Sequence, residues 1–223
     1  MKLAALISGG KDSSFAIYKA LQEGHEVTDL ITIIPANEDS YMFHSANIRL
    51  TELISEACGI PLTSQLSTGE KEKELLDLGK AISRVKVDGV AVGAIESEYQ
   101  AYRVRNICDE LGMEMYAPLW HMEPEGLLRE MITLMDIRMV KVAAAGLDES
   151  WLGRIFDEQM IMDLKALNRK YRVHIAGEGG EYESLVLDAP FYKKRIQLLE
   201  TRNLWMGDRG IMEVVQAQLK DKY

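Results

Sequence analysis

The stretch Ser8-Gly9-Gly10-Lys11-Asp12-Ser13 decides the fold of this chain. Before it comes an apolar run, Lys2–Ile7, which is typical of a buried strand. After it comes an amphipathic run, Asp12–Glu23, which predicts a helix that stops at Gly24. A buried strand that passes through a glycine turn into a helix is a typical opening unit of a parallel α/β sheet.

The composition of this loop is suited to an anion. Its two glycines let the backbone approach a ligand and adopt positive φ without a steric penalty. The amides and the dipole at the start of the following helix favour negative charge. Lys11 adds a charge for phosphate oxygens, and Ser8 and Ser13 add hydroxyl donors. Asp12 can help hold the magnesium ion that accompanies ATP.

Other glycine motifs do not fit the loop. A Walker A loop requires a serine or threonine after its lysine, but Asp12 follows Lys11, and Ala5 stands where the first glycine is required. The dinucleotide fingerprint G-x-G-x-x-G is also absent from the loop. A plain strand–helix turn capped by a serine remains an alternative, although such a turn needs neither the lysine nor the aspartate.

The loop resembles the S-G-G-x-D-S loop of the PP-loop ATP pyrophosphatases, which it matches at Ser8, Gly9, Gly10, Asp12 and Ser13. This resemblance implies an enzyme that holds the pyrophosphate end of ATP and exposes the α-phosphate to attack. A substrate oxygen becomes adenylated, and a nitrogen or sulfur nucleophile then displaces AMP.

Alternating strand and helix patterns extend over the first 120 residues and then become less regular. We therefore expect an α/β fold, with a parallel-sheet PP-loop (Rossmann-like) ATP-binding domain at residues 1–120 and a smaller α+β substrate-binding domain at residues 121–223. Further helices are expected at 44–58, 70–85, 97–111, 124–135 and 157–171. Further strands are expected at 26–34, 88–92, 139–144, 173–176, 185–187, 196–200 and 211–217.

A second glycine-rich stretch, Gly177-Glu178-Gly179-Gly180-Glu181-Tyr182-Glu183-Ser184, follows the strand expected at Val173–Ala176. Its carboxylates are candidates to bind a cationic group, to hold magnesium or to orient an attacking amine. A solvated acidic hairpin loop is the alternative interpretation.

The two loops in one chain resemble the diphthine–ammonia ligase family. Tyr41–His44, Tyr99-Gln100 with Arg103-Val104, Pro118–Trp120 and Asp188–Pro190 agree with it, so the resemblance extends over nearly the whole chain. Arg105 and Ala189 depart from it, because many members carry an acidic residue and a cysteine there. The family reaction, as the resemblance implies, uses ATP to adenylate the carboxylate of diphthine, a modified histidine of translation elongation factor 2. Ammonia then displaces AMP and forms diphthamide.

The resemblance also implies roles for individual residues. Ser8 to Ser13 bind ATP, with Lys11 and Asp12 as catalytic candidates and Asp12 as the magnesium ligand. Glu178, Glu181 and Glu183 are the catalytic candidates of the second loop. His44 is a candidate for the nucleotide side, although a capping or half-buried histidine is an equally good interpretation. Gly93 is a candidate because it follows the strand expected to end at Val92, and ligands bind at the carboxyl ends of such strands, although a simple strand–helix connection is an equally good interpretation. The substrate-binding candidates are Tyr99, Gln100, Arg103, Gly179, Gly180, Tyr182 and Ser184.

Composition narrows the function classes. Acidic residues outnumber basic ones by 35 to 26, and the net charge of −9 argues against an extended nucleic-acid surface. No run of 18 apolar residues occurs, so no membrane span is expected. Cys58 and Cys108, the two cysteines, have apolar helical neighbours, so we expect them to be buried. They form no C-x-x-C motif and suggest no disulfide framework, so we expect a cytoplasmic protein. No glutaminase constellation is visible, which makes ammonium the expected nitrogen source. Homo-oligomerisation is left open.

Two other functions remain as alternatives. A PP-loop ligase or sulfur-transferring enzyme that acts on tRNA predicts a basic surface and reactive cysteines. A regulatory module that senses ATP or AMP predicts nucleotide binding without release of pyrophosphate.

Overall fold

The computed structural model describes residues 1–35, 47–68 and 73–222, without the side chain of Gln100. The chain divides into two compact units, Met1–His121 and Met122–Tyr223. Each unit has its own sheet, and each is described by itself below.

Unit 1 is built on a five-stranded sheet in the order β3-β2-β1-β4-β5, in which every neighbouring pair is parallel. The predicted α/β fold with a parallel sheet is therefore confirmed. The elements follow in chain order as β1 (Lys2–Leu6), α1 (Lys11–Gln22), β2 (Glu26–Pro35), α2 (Leu50–Cys58), β3 (Leu62–Ser67), α3 (Lys73–Ile82), β4 (Gly89–Ala91), α4 (Glu98–Leu111) and β5 (Glu114–Tyr116).

The strand order of unit 1 positions the candidate site. From β1 the chain builds outward through β2 and β3 on one side, and it then returns to place β4 and β5 on the other side. In open α/β sheets, ligands bind beyond the carboxyl ends of the strands where the strand order reverses. The loop after β1 and the connection after β4 both begin at this switch point.

Apolar residues of β1, β2 and β4 pack with α3 and α4 into one buried cluster that includes Ile31, Ile33, Leu78 and Val104. Burial of each large aliphatic side chain contributes about 1.5–3 kcal/mol. Cys108 belongs to this cluster, and Cys58 is 4% exposed at the end of α2, so the predicted burial of both cysteines is confirmed.

Two strands of unit 1 were not predicted from the sequence. Among the described strands, β3 is a polar edge strand whose one neighbour is β2, and of its residues only Ser67 is buried. β5 has just three residues. The helix expected from His44 begins at Leu50, and residues 44–46 lie outside the described residues. The helix expected from Glu70 is α3, which begins at Lys73 after residues that also lie outside the description.

Unit 2 has a four-stranded sheet in the order β7-β6-β9-β8, with every neighbouring pair antiparallel. Its last two strands form a hairpin that extends both strands expected there. The elements are α5 (Pro124–Leu134), β6 (Asp136–Val142), a 3-10 helix (Glu149–Trp151), α6 (Glu158–Tyr171), β7 (Tyr182–Asp188), β8 (Lys194–Trp205) and β9 (Gly210–Asp221).

The predicted strand at Val173–Ala176 is wrong. After α6 the chain turns at Arg172, which has a left-handed φ of 64°, and it continues without strand pairing to Tyr182. The Val173 carbonyl accepts from the side chain of Asn168 at 3.0 Å instead of from a neighbouring strand. A short apolar run has no period that separates a strand from a buried turn.

Within the described parts of the chain, none of the helices combines the length and the apolarity that a membrane crossing requires.

Candidate functional site

The loop after β1 leads directly into the first turn of α1. Ile7 N–H donates to the Ile31 carbonyl at 2.9 Å and thus extends the pairing with β2 by one residue. Gly9 then adopts a left-handed φ of 84°, which favours glycine. Gly10 is the N-cap of α1, and no side chain caps that helix end. The first amides of α1 therefore have neither intrahelical acceptors nor a cap side chain.

Hydrogen bonds within the loop hold this shape. The Ser13 hydroxyl donates to the Gly10 carbonyl at 3.1 Å and accepts from Ser8 N–H at 3.3 Å. The Ser8 hydroxyl accepts from Gly10 N–H at 3.3 Å and lies 3.3 Å from the Ser13 hydroxyl. Both serines therefore organise the loop before any ligand is bound.

Lys11 and Asp12 form a pair in the first turn of α1. The Lys11 side chain is only 3% exposed, and its Nζ donates to Asp12 Oδ2 at 2.8 Å. Asp12 Oδ1 is buried and has no hydrogen-bond partner among the described residues. Such an oxygen costs about 1–3 kcal/mol unless a ligand satisfies it. Magnesium bound with substrate phosphates takes only one or two protein carboxylates, so Asp12 fits this ion.

Gly93 follows β4 and lies against the backbone of the same turn. A Cβ built at residue 93 would lie 2.6 Å from Asp12 C and 2.6 Å from Ser13 N. Only glycine allows this approach without a shift of the loop. The structure therefore brings Gly93 to the Ser8–Ser13 loop, whereas a contact between Gly93 and nucleotide remains a prediction.

The candidates on α4 form a separate pair. The Arg103 guanidinium carbon lies 3.6 Å from the centre of the Tyr99 ring, one helical turn away, and both side chains are half-buried. The side chain of Gln100 and the whole of His44 lie outside the described residues.

In unit 2 the second glycine-rich stretch connects α6 to β7. Five successive backbone N–H groups, those of residues 176–180, donate to acceptors within the connection. The acceptors are His174 Nδ1 for Ala176 (3.2 Å) and Glu178 (3.5 Å), the His174 carbonyl for Gly177 (3.0 Å), Glu181 Oε2 for Gly179 (2.8 Å) and the Gly177 carbonyl for Gly180 (3.2 Å). Because these five donors are used internally, they are not available to cradle a phosphate.

The Glu181 carboxylate holds both ends of this loop. Oε1 accepts from His174 N–H at 2.8 Å, and Oε2 accepts from Gly179 N–H at 2.8 Å. Each oxygen is therefore engaged by a backbone amide, which makes Glu181 an organiser of the loop. Sequence reasoning missed His174, although a histidine three residues before a glycine run was a visible signal.

The remaining candidates of this stretch separate into a strand and an exposed tip. Tyr182 begins β7, is 3% exposed, and donates its hydroxyl to the Ile175 carbonyl at 2.6 Å. Ser184 is half-buried in β7, opposite Met139 of β6. Gly179 and Gly180 are exposed at the tip, and the adjoining Glu178 is half-buried.

Glu183 lies in β7 and has a cross-strand partner that the sequence did not indicate. Lys141 of β6 is opposite Glu183 in the strand register, and Lys141 Nζ lies 2.7 Å from Glu183 Oε1. The Glu183 side chain is 9% exposed, so the lysine compensates a largely buried carboxylate.

Comparison with known proteins identifies the family. Residues 1–115 match the family model for the diphthamide synthase N-terminal domain, and residues 123–219 match that for the diphthamide synthase C-terminal domain. The chain belongs to the diphthamide synthase family. The diphthine–ammonia ligase of Homo sapiens is 40% identical over 88% of this chain and 82% of its own length. That of Danio rerio is 38% identical over 100% of this chain and 98% of its own.

The family predicted from the paired loops is therefore confirmed, and both loops lie inside the diphthamide synthase matches. A solved structure described as a predicted subunit of tRNA methyltransferase from Methanocaldococcus jannaschii covers 85% of this chain and 98% of its own, with 16% identity and a TM-score of 0.47.

The described residues contain no group of three or more His, Cys, Asp and Glu side chains arranged for a metal ion. The two cysteines of this diphthamide synthase family member are poor nucleophiles where they lie. Burial raises the pKa of the Cys108 thiol to about 11, and the Cys58 thiol donates to the Ile54 carbonyl at 3.0 Å.

Proposed function

We propose that this protein is an ATP-dependent ligase that amidates the carboxylate of diphthine on translation elongation factor 2 with ammonium. The observation that carries the proposal is the match of both halves of the chain to the two diphthamide synthase domains. A carboxylate oxygen attacks the α-phosphorus of ATP, and pyrophosphate leaves. Ammonium loses one proton to become ammonia, which attacks the acyl carbon. AMP leaves with the electron pair of the broken C–O bond, and a second proton is released as the amide forms.

The ATP side of the reaction is assigned to residues 1–120 of unit 1. The amides at the start of α1 and the helix dipole would bind the phosphates of ATP. Asp12 would hold magnesium through Oδ1, and the ion would supply positive charge to the phosphates. Lys11 is bonded to Asp12 Oδ2, so it would set the orientation of that carboxylate as well as the local charge. Gly93 lets the chain after β4 approach this turn closely.

The substrate side is assigned to residues 121–223, and above all to the connection between α6 and β7. The amides of residues 176–180 are used internally, so this connection presents none of these five donors to a ligand, and its candidate binding groups are acceptors such as the Glu178 carboxylate. Acceptors without free donors suit a cation, and ammonium is the cation that the proposed reaction consumes. Glu181 would act through the loop that it holds, and Glu183 through its pair with Lys141.

The other assignments are proposals of the same kind. Tyr99, Gln100 and Arg103 would border the substrate carboxylate, since a guanidinium can neutralise that group. Gly179 and Gly180 would let the substrate approach the loop, and Tyr182 and Ser184 would support it from β7. His44 would lie near the nucleotide. We place the reaction in the cytoplasm, where translation factors act.

Two observations weigh against tRNA as the substrate. The net charge of −9 provides little attraction for a polyanion, and burial of both cysteines removes a route to sulfur transfer.

The proposal is tested by incubation of the protein with ATP, magnesium, isotopically labelled ammonium and elongation factor 2 that carries diphthine. We expect AMP to form only when the factor is present, with the label in the new amide of the factor. AMP without a change in the factor would retain the ATP chemistry and reject the substrate. Tight ATP binding without AMP would support the nucleotide-sensing alternative.

A further inference from the structure

His174 lies in the connection between α6 and β7 and forms hydrogen bonds to other residues of this connection through three different groups. Its ring Nδ1 accepts from the amides of Ala176 and Glu178, its backbone N–H donates to Glu181 Oε1, and its carbonyl accepts from Gly177 N–H. The ring is half-buried, so these bonds are only partly in competition with water.

We propose that His174 is a positioning residue that fixes the backbone at Glu178 and thereby aims the Glu178 carboxylate. This inference rests on the proposed function, because Glu178 is one of its candidate catalytic groups. The amides of Ala176 and Glu178 converge on one ring nitrogen, which sets the direction of the chain at the point where the Glu178 side chain leaves it. His174 thus acts through Glu178 and has no required contact with the substrate.

The two N–H groups require an acceptor at the position of Nδ1. Asparagine places its carbonyl oxygen at nearly the same distance from the backbone as Nδ1, and can therefore replace it as an acceptor. Glutamine carries the same amide one methylene further out, and alanine has no acceptor.

The first test measures amide formation by the full chain with His174→Asn, His174→Gln and His174→Ala, alongside the wild type. We expect kcat to fall by about tenfold to a hundredfold in the alanine variant, because a small displacement of a positioned group can cost that much. The asparagine variant should recover most of the rate, the glutamine variant should not, and the KM for ATP should be unchanged in all three. His25→Ala is the control, since His25 packs on Tyr116 in unit 1.

The second test measures amide hydrogen exchange at Ala176 and Glu178 and does not depend on activity. Exchange should be faster in the alanine and glutamine variants and close to wild type in the asparagine variant. Unchanged exchange in His174→Ala would overturn the inference, as would an asparagine variant that is folded but as slow as alanine. A wild type that makes no amide counts against the proposed function alone, since the exchange pattern still decides the role of His174.

Discussion

The two loops of this chain are both rich in glycine, but their hydrogen-bond arrangements are opposite. In the Ser8–Ser13 loop the glycines lead into a helix whose first amides have no side-chain cap. In the 174–181 connection, five consecutive amides end on acceptors of the connection itself. The first arrangement is suited to an anion and the second to a cation. Glycine content therefore indicates that the backbone can approach a ligand closely, but the direction of the N–H groups determines which charge can bind.

The substitution with the largest expected effect is Asp12→Asn, in the first loop. The substitution keeps the size of the side chain and removes the charge that pairs with Lys11 and would hold magnesium. We expect the rate of AMP formation to fall on the order of a hundredfold or more, because phosphoryl chemistry depends on positioned charge. The measurement is AMP release with the factor at saturating ATP. The exposed Asp109→Asn on α4 is the control, and equal rates in both variants would reject the assignment of Asp12.

A second test disturbs the same loop through its backbone. In Gly93→Ala the new Cβ would lie 2.6 Å from the peptide between Asp12 and Ser13, so the loop must shift. We expect ATP affinity, measured by calorimetry, to fall about tenfold, which corresponds to about 1.4 kcal/mol.

The matched control is Gly79→Ala in α3, where the nearest atom lies at 3.7 Å and the backbone is helical. That substitution should raise the stability by up to about 1 kcal/mol, because alanine is the better helix former. Wild-type affinity in Gly93→Ala would show that the loop tolerates displacement.

Glu181→Gln tests the second loop alone. One carboxylate oxygen is replaced by an NH₂ group, so the backbone N–H of either His174 or Gly179 then faces a donor instead of an acceptor. We expect amide formation to fall roughly threefold to tenfold through the loss of one charge-assisted bond, with ATP affinity unchanged. Glu149→Gln is the control, because Glu149 is exposed in the 3-10 helix of the same unit. Weaker ATP binding in Glu181→Gln would contradict the division of tasks between the two loops.

The smallest expected effect concerns acid stability of the scaffold that supports the second loop. The hydrogen bond from Arg154 is the main cause that holds the pKa of Asp163 in α6 below its ordinary value of 3.8. Because the pKa is lowered in the folded state, the pair stabilises the protein above that value, and this contribution is lost as pH falls through the folded-state pKa.

Asp163→Asn should therefore lower the unfolding free energy by at most about 1 kcal/mol at neutral pH, since the pair is partly exposed. The difference from wild type should disappear at the lowest pH, as measured by urea unfolding. A difference that is independent of pH would assign the effect to packing instead of charge. If activity declines in acid, this measurement shows whether the decline follows the lower unfolding free energy of unit 2 or arises in the second loop itself.

The accuracy of sequence reasoning differed between the two loops for a physical reason. The bonds that hold the first loop join residues at most five positions apart, as in Ser8 to Ser13, so the motif carries its own geometry. The second loop was assigned to follow a strand at Val173–Ala176, but its shape depends on the left-handed turn at Arg172 after α6. The glycines and glutamates of this loop could be recognised in the sequence, whereas its hydrogen-bond pattern could not.

The sequence by itself determined the strand–loop–helix unit at residues 2–23, the α/β class and the family, because these depend on local patterns and on motifs in order along the chain. Tertiary structure alone decided which distant groups meet. Lys141 reaches Glu183 across 42 positions because the register of β6 and β7 places them opposite each other. Gly93 lies against Asp12 because the strand order puts β4 beside β1. Strand register and strand order are set by the packing of whole elements, which no short stretch of sequence contains.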